Sequence, residues 1–115
     1  MSHPGAGVPT SFSQIERTWF TVREKYDTAY TACGNDAAAK AALTADRDGA
    51  RDAYYLAVAK KFDEADAFVT KTKAALTEAN KTLDRAIANM AAIQEVLKAI
   101  TAAVQLAAAL AAMAA

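Results

Sequence analysis

Four oxygen-bearing side chains near the middle of the chain have the spacing that comes closest to a chemical site. They match positions one, three, five and nine of a calcium-binding loop, and they are Thr44, Asp46, Asp48 and Asp52. Such a loop needs Asp at position one and a bidentate Glu at position twelve, where this chain has Thr44 and Tyr55. Arg47 and Arg51 also neutralise the cluster. We therefore expect a solvated, ion-paired helix segment and no metal site.

Residues for nucleophilic or acid–base catalysis are sparse. His3 is the single histidine, and it stands close to the start of the chain, so the sequence indicates no Ser-His-Asp or Cys-His arrangement. Cys33 is the single cysteine, which excludes an internal disulfide, and its place on an apolar helical stripe favours packing over reactivity. There is no glycine-rich phosphate loop. We expect a protein that is not an enzyme and that binds no cofactor.

The charge balance argues against nucleic acid as a partner. Thirteen basic and thirteen acidic residues cancel, so the chain carries no net positive field to attract phosphates. The opening residues do not combine a charged segment with an apolar run, so no secretion signal is visible. The default expectation is a cytoplasmic protein, with secretion that needs no signal left open.

The composition predicts an all-α fold. Alanine supplies 32 residues, whereas glycine and proline together supply six and stand mostly near the start. Alanine has the highest helix propensity, and glycine and proline have the lowest. We expect an arm over residues 1–11, followed by a single helical domain over residues 12–115.

The first part of that domain has clear boundaries. Apolar residues recur every three or four positions from Phe12 to Cys33, which predicts an amphipathic helix over 12–33 that is capped by Ser11 or Ser13. Gly34 is a typical C-terminal cap, so the chain should reverse there. A second helix is expected over 36–48, and Asp48-Gly49 should be a kink or a short loop.

A seven-residue apolar repeat runs from Tyr55 to Ala114, and we call it the seam. Of 18 large apolar residues from Tyr55 onward, 11 fall on its two positions, whereas random placement would put roughly five there. Such a repeat is typical of helices that supercoil around one another. Besides Tyr55 and Val58, the large residues of the seam are Phe62, Val69, Leu76, Leu83, Met90, Ile93, Leu97, Ile100 and Val104. We expect these residues to form an oligomer or partner interface.

The unbroken phase of the seam favours one helix over 50–115, about 98 Å long. The first helix could cover only a third of it, so the exposed remainder predicts assembly with further copies or with another helical protein. A coiled coil or helical bundle follows from this. The alternative is a compact three-helix bundle that turns near Asn80, within the polar segment Thr77–Thr82.

The last 17 residues, Ala99–Ala115, carry no charge and are apolar on every side. Such a segment must be enclosed by protein or by lipid. We favour burial of this tail, whose large residues off the seam are Leu106, Leu110 and Met113. The expected function is a non-enzymatic interaction or structural protein that self-assembles through the seam. The alternative, which we do not favour, is a membrane-active protein that uses this tail.

Overall fold

Residues 10–115 fold into four α-helices. A computed structural model describes residues 10–115, and the helices are α1 (Ser11–Ala32), α2 (Ala37–Ala59), α3 (Ala67–Ile87) and α4 (Ile93–Ala111). Residues 10–115 contain no strand, and the predicted all-α helical bundle is confirmed. The predicted arm, residues 1–11, lies outside the described residues except for Thr10 and Ser11, and so does His3.

The helices form a flattened bundle with extents of 45 × 30 × 20 Å. α1 packs against α2 and α3, and α4 packs against all three other helices, whereas α2 and α3 do not touch. α1 and α3 start at the same end of the bundle, because Ser11 bonds to Glu64 just before α3. α2 and α4 finish at that end, where Lys61 and Ala115 exchange two backbone hydrogen bonds of 3.2 and 2.9 Å. The α2–α3 connection therefore crosses the bundle diagonally.

The reversal between α1 and α2 follows the sequence prediction. Gly34 has φ of +61°, the left-handed conformation that glycine adopts without a Cβ clash at the end of a helix. The Asp36 side chain then accepts a hydrogen bond from the Ala39 amide and caps α2. At the start of α1 the cap is Thr10, not Ser11 or Ser13, and Thr10 and Ser13 bond reciprocally.

The predicted kink or loop at Gly49 does not exist. α2 continues through Gly49, where α2 and α4 come close together. A Cβ atom at this position would lie 3.2 Å from Cγ1 of Val104, which is tighter than ordinary packing. Glycine is therefore used here for a close approach between helices.

The single helix predicted over 50–115 is wrong, because two loops divide it. The first loop, residues 60–66, forms without glycine or proline. Asp66 accepts hydrogen bonds from the amides of Phe68 and Val69, and Asp63 accepts one from Ala65. Short acidic side chains thus satisfy amides that a continuous helix would bond to carbonyls, and α3 starts afresh.

The second loop, residues 88–92, turns α3 back onto α4. Backbone hydrogen bonds close it, including one from the Ala92 amide to the Asn89 carbonyl, and no side chain caps α4. The alternative prediction of a turn near Asn80 is correct that the chain reverses, but the reversal lies later, at residues 88–92. Burial of α4 against α3 supplies the driving force that the local sequence lacks.

Asn80 lies in the middle of α3 and is fully buried. Its amide nitrogen donates to the Gln14 carbonyl and to Gln14 Oε1, both at 3.0 Å, and its Oδ1 accepts from the Thr18 hydroxyl at 2.7 Å. The segment Thr77–Thr82 therefore does not form a turn. It is polar because α3 binds α1 through it.

Asn80→Ala should lower the free energy of unfolding by about 1–3 kcal/mol, because the buried Gln14 and Thr18 groups lose their partner. Thr82→Ala, at an exposed position on the same helix, should change it by less than about 0.5 kcal/mol. Urea unfolding followed by circular dichroism measures both. Equal stability of the two variants would contradict the role assigned to Asn80.

Candidate functional site: an aromatic face on α1 and α2

Aromatic rings form a continuous cluster on the surface where α1 packs against α2. The ring of Tyr54 lies 5.8 Å from Phe12, 5.7 Å from Phe20 and 5.5 Å from Tyr55, measured between ring centres. We call these four residues, together with Val58, the aromatic face. Phe12 and Phe20 are eight residues apart on α1, and Tyr54 of α2 lies between them.

Much of this surface is open to solvent. Tyr55 is 62% exposed, Val58 55% and Phe20 39%. Phe12 and Val58 also line a shallow pocket of about 460 Å³ whose polar edge is formed by Lys60, Lys61 and Glu64. Large exposed apolar surfaces edged by polar groups are typical of interaction sites.

Local packing explains why α2 presents its large side chains outward. The buried stripe of α2 consists mainly of small residues: Leu43, Ala50, Ala53 and Ala57. Tyr55 and Val58 begin the predicted seam, but in α2 the seam does not coincide with this stripe. They consequently project away from the core.

Cations cover Phe20 and the rings beyond it on the same surface. The guanidinium of Arg23 lies 4.8 Å from the ring centre of Phe20, and that of Arg47 lies 4.2 Å from the centre of Tyr26. The Lys40 ammonium similarly lies over Tyr30. Within residues 10–115, no cation lies over Phe12, Tyr54 or Tyr55. The exposed apolar surface is therefore concentrated around Tyr54.

A carboxylate anchors α1 beside the aromatic face. Glu64 accepts hydrogen bonds from the Ser11 amide at 2.8 Å and the Ser11 hydroxyl at 2.6 Å, and pairs with Lys73 at 3.4 Å. Burial alone would raise the pKa of Glu64, but these hydrogen bonds and the Lys73 charge outweigh it and lower the pKa below its ordinary value. An anion at the start of a helix is also favoured by the helix dipole.

The acidic residues of the segment that resembles a calcium-binding loop bond to different partners. Asp46 accepts a hydrogen bond from Thr101 of α4 at 2.6 Å, and burial raises the pKa of Asp46 although that hydrogen bond opposes the rise. Asp48 pairs with Arg47 and Arg51, and Asp52 pairs with Arg51. Among residues 10–115, no group of three or more His, Cys, Asp or Glu side chains could hold a metal ion.

The predicted seam residues lie largely inside this one chain. The fully buried members are Val69, Leu76, Leu83, Ile100 and Val104, and the half-buried members that pack against the core are Phe62, Met90, Ile93 and Leu97. Packing between the helices of one chain therefore buries most of the surface that was predicted to form the oligomer interface.

The uncharged tail is divided between core and surface. Leu110 is fully buried, Leu106 packs against the core and Met113 is partly exposed. Ile93–Ala111 is long and apolar enough to cross a membrane by length and composition alone, and 39% of an 18-residue apolar stretch in it is buried in the bundle. The core helix of a soluble protein can have the same length and composition.

Most of the aromatic face is absent from the interface predicted from the sequence. That prediction treated the apolar stripe of the first helix as core, and this stripe includes Phe12. The detectable signal was the adjacent pair Tyr54-Tyr55, since neighbouring residues on a helix point about 100° apart and two large rings are not easily buried on one narrow stripe. Comparisons with protein-family models, curated proteins and solved structures found no match for this chain.

Glu64→Gln should reduce the acid sensitivity of folding. Because the pKa of Glu64 is lower in the folded chain than in the unfolded chain, its contribution is present above the unfolded pKa and is lost as pH falls through the folded pKa. The stability difference between wild type and variant should thus shrink from pH 6 toward about pH 3. Thermal unfolding across this range measures the difference. A constant difference would show that the Glu64 charge contributes nothing.

Proposed function

We propose that this protein is a non-enzymatic helical interaction protein that associates with a second copy of itself through the aromatic face. The observation that carries the proposal is the contiguous ring cluster around Tyr54, which leaves Tyr55 and Val58 more than half exposed. Tyrosine, phenylalanine and arginine are enriched where protein surfaces meet. In such surfaces a few central aromatic anchors account for most of the binding energy.

The size of the aromatic face suits the centre of an interface. A fully buried Tyr or Phe removes 150–250 Å² from water, so Tyr55 and Phe20, which are 62% and 39% exposed, together still offer on the order of 200 Å². With Val58, they approach the few hundred Å² that mark an interaction patch on a typical monomer. A stable interface needs about 800 Å² per partner, so the polar surroundings would have to contribute the rest.

Self-association through the whole seam would require the bundle to open. Leu76, Leu83 and Ile100 are almost completely buried, and their exposure would cost the hydrophobic free energy that holds the fold together. The aromatic face retains the first two seam residues and needs no unfolding. It is therefore a less costly route to the expected homo-oligomer.

The charge distribution favours a second copy over a strongly charged partner. The protein has no net charge, and both signs surround the aromatic face, with Lys60 and Lys61 on one side and Asp48 and Asp52 on the other. A surface with both signs can complement itself, whereas a nucleic acid would require a positive surface.

Tyr55→Asp should convert a dimer into a monomer, because it places a charge at the centre of an apolar contact. Phe68→Asp is the matched control: Phe68 is 73% exposed on α3, far along the sequence from the aromatic face. Light scattering coupled to size-exclusion chromatography at tens of micromolar should give a dimer mass for wild type and Phe68→Asp. A monomeric wild type, or equal masses for both variants, would overturn the proposal.

A second candidate function is membrane insertion by α4. Nineteen residues give about 28 Å of helix, close to the hydrocarbon core of about 30 Å. The cost is clear in this bundle, because withdrawal of α4 would expose Leu76 and Leu83 and break the Asp46–Thr101 hydrogen bond. The hydropathy of α4 supports this candidate, and the burial of α4 favours a core role.

Removing residues 99–115 distinguishes the two roles of α4. If the segment is core, the truncated chain should lose several kcal/mol of stability, since Ile100, Val104 and Leu110 each contribute about 1.5–3 kcal/mol when fully buried. We expect this loss in thermal unfolding and no flotation of the full chain with phosphatidylcholine vesicles. A truncated chain that melts normally, together with flotation of the full chain alone, would favour the membrane role.

A further inference from the structure

The shallow pocket of about 460 Å³ beside the aromatic face lies where α2 ends, and we call it the α2-end pocket. Its walls include the side chains of Phe12, Val58 and Phe62. Ala57, which is 2% exposed, also lines it, and a methyl group leaves room that a larger side chain would fill. The walls are thus mainly apolar, and the volume is within the range of small-molecule sites.

The edge of the α2-end pocket carries positive charge that the chain does not use. Lys60 and Lys61 line this edge, are exposed, and form no ion pair within residues 10–115. Glu64 lines it too, but both of its oxygens are already occupied. Oε2 accepts a hydrogen bond from the Ser11 amide, and Oε1 accepts from the Ser11 hydroxyl and the Lys73 ammonium. The charges left for a ligand are therefore positive.

Main-chain hydrogen bonds hold the two lysines at this edge. The Lys61 amide donates to the Ala115 carbonyl at 3.2 Å, and the Ala115 amide donates to the Lys61 carbonyl at 2.9 Å. The Lys60 amide donates to the Ala57 carbonyl at 3.4 Å. Since only backbone atoms form these bonds, the lysine side chains can be replaced without removing them.

From this arrangement we infer that the α2-end pocket binds an amphipathic anion, of the class of a free long-chain carboxylate. The acyl chain lies against Phe12, Val58 and Phe62, where it is removed from water. The carboxylate pairs with Lys60 and Lys61 through charge-assisted hydrogen bonds. Phe12 and Val58 also belong to the aromatic face, but the inference does not rest on self-association.

Both halves of such a ligand are needed. An anion without an apolar tail would leave the apolar walls of the pocket in water, whereas an amphiphile with a cationic head would meet two lysines of the same charge. Three probes separate these requirements: dodecanoate has both features, butyrate lacks most of the tail, and dodecyltrimethylammonium has the tail with the opposite charge.

Isothermal titration calorimetry at pH 7, below the critical micelle concentration of each probe, measures binding to the full chain. Dodecanoate should bind with one site per chain. Butyrate should bind at least about a hundredfold more weakly, because it buries far fewer methylene groups. Dodecyltrimethylammonium should also bind more weakly than dodecanoate. Equal binding of the two long-tailed probes would show that only the tail partitions onto the protein, and would overturn the inference.

The double variant K60Q/K61Q should weaken dodecanoate binding roughly tenfold, since two exposed ion pairs are lost. K71Q/K98Q is the matched control: it removes the same charge from exposed lysines on α3 and α4 that lie outside the pocket, and it should leave the affinity unchanged. Thermal unfolding checks that both double variants are folded.

Equal affinities of wild type and K60Q/K61Q for dodecanoate would refute the site. Binding to phosphatidylglycerol vesicles without binding of monomeric dodecanoate would also refute it, and would favour a lipid surface as the partner. The mass of the wild type in solution is measured without any probe, so failure of this inference leaves the proposed self-association unaffected.

Discussion

The fold depends on the burial of two apolar stripes, those of α3 and α4, against α1 and against the mainly small residues that α2 buries. α4 achieves this by packing against all three other helices. Its buried side alternates large residues such as Ile100 with small ones such as Ala103 and Ala107, which allow the neighbouring backbones to come close. Gly49 serves the same purpose from α2. Close packing of small residues thus supplements the large side chains of the core.

The central position of α4 leaves α2 at the edge. α2 touches α1 and α4 but not α3, and it buries mainly alanines. Its larger residues Tyr55 and Val58 therefore contribute little to the core and much to the surface, whereas Tyr54 packs partly against the core. The exposed aromatic face thus follows from the way in which α2 packs.

Sequence reasoning succeeded where a local signal determined the structure. Gly34 and Asp36 have clear capping chemistry, and the α1–α2 turn forms as they predict. The α2–α3 loop has a cap of the same kind in Asp66, but residues 60–66 span one full seven-residue repeat and preserve its phase, so the repeat concealed the loop. Asn80 suggested a turn where the helix in fact continues, because its polar side chain bonds to Gln14, 66 residues away in the chain.

The predicted interface omits most of the aromatic face for a compositional reason. Counting only large side chains excluded alanine, and so concealed that α2 buries Ala50, Ala53 and Ala57. The same count assigned Tyr55 and Val58 to a seam that they do not join in three dimensions. The repeat alone cannot separate its buried members from its exposed members. A helical stripe shows which residues lie on one side of a helix but not what that side contacts.

The cations on α1 and α2 give the strongest physical reason to expect function at one end of that surface. Arg23, Arg47 and Lys40 lie over rings toward the far end, where their charges keep the aromatic surface hydrated. Solubility alone would favour similar cover over Tyr54 and Tyr55. The chain beside the uncovered cluster instead carries charges of both signs, Asp48 and Arg51 before Tyr54 and Lys60 and Lys61 after it. An apolar centre with both signs around it can complement itself, so a second copy of this chain is a suitable partner for it.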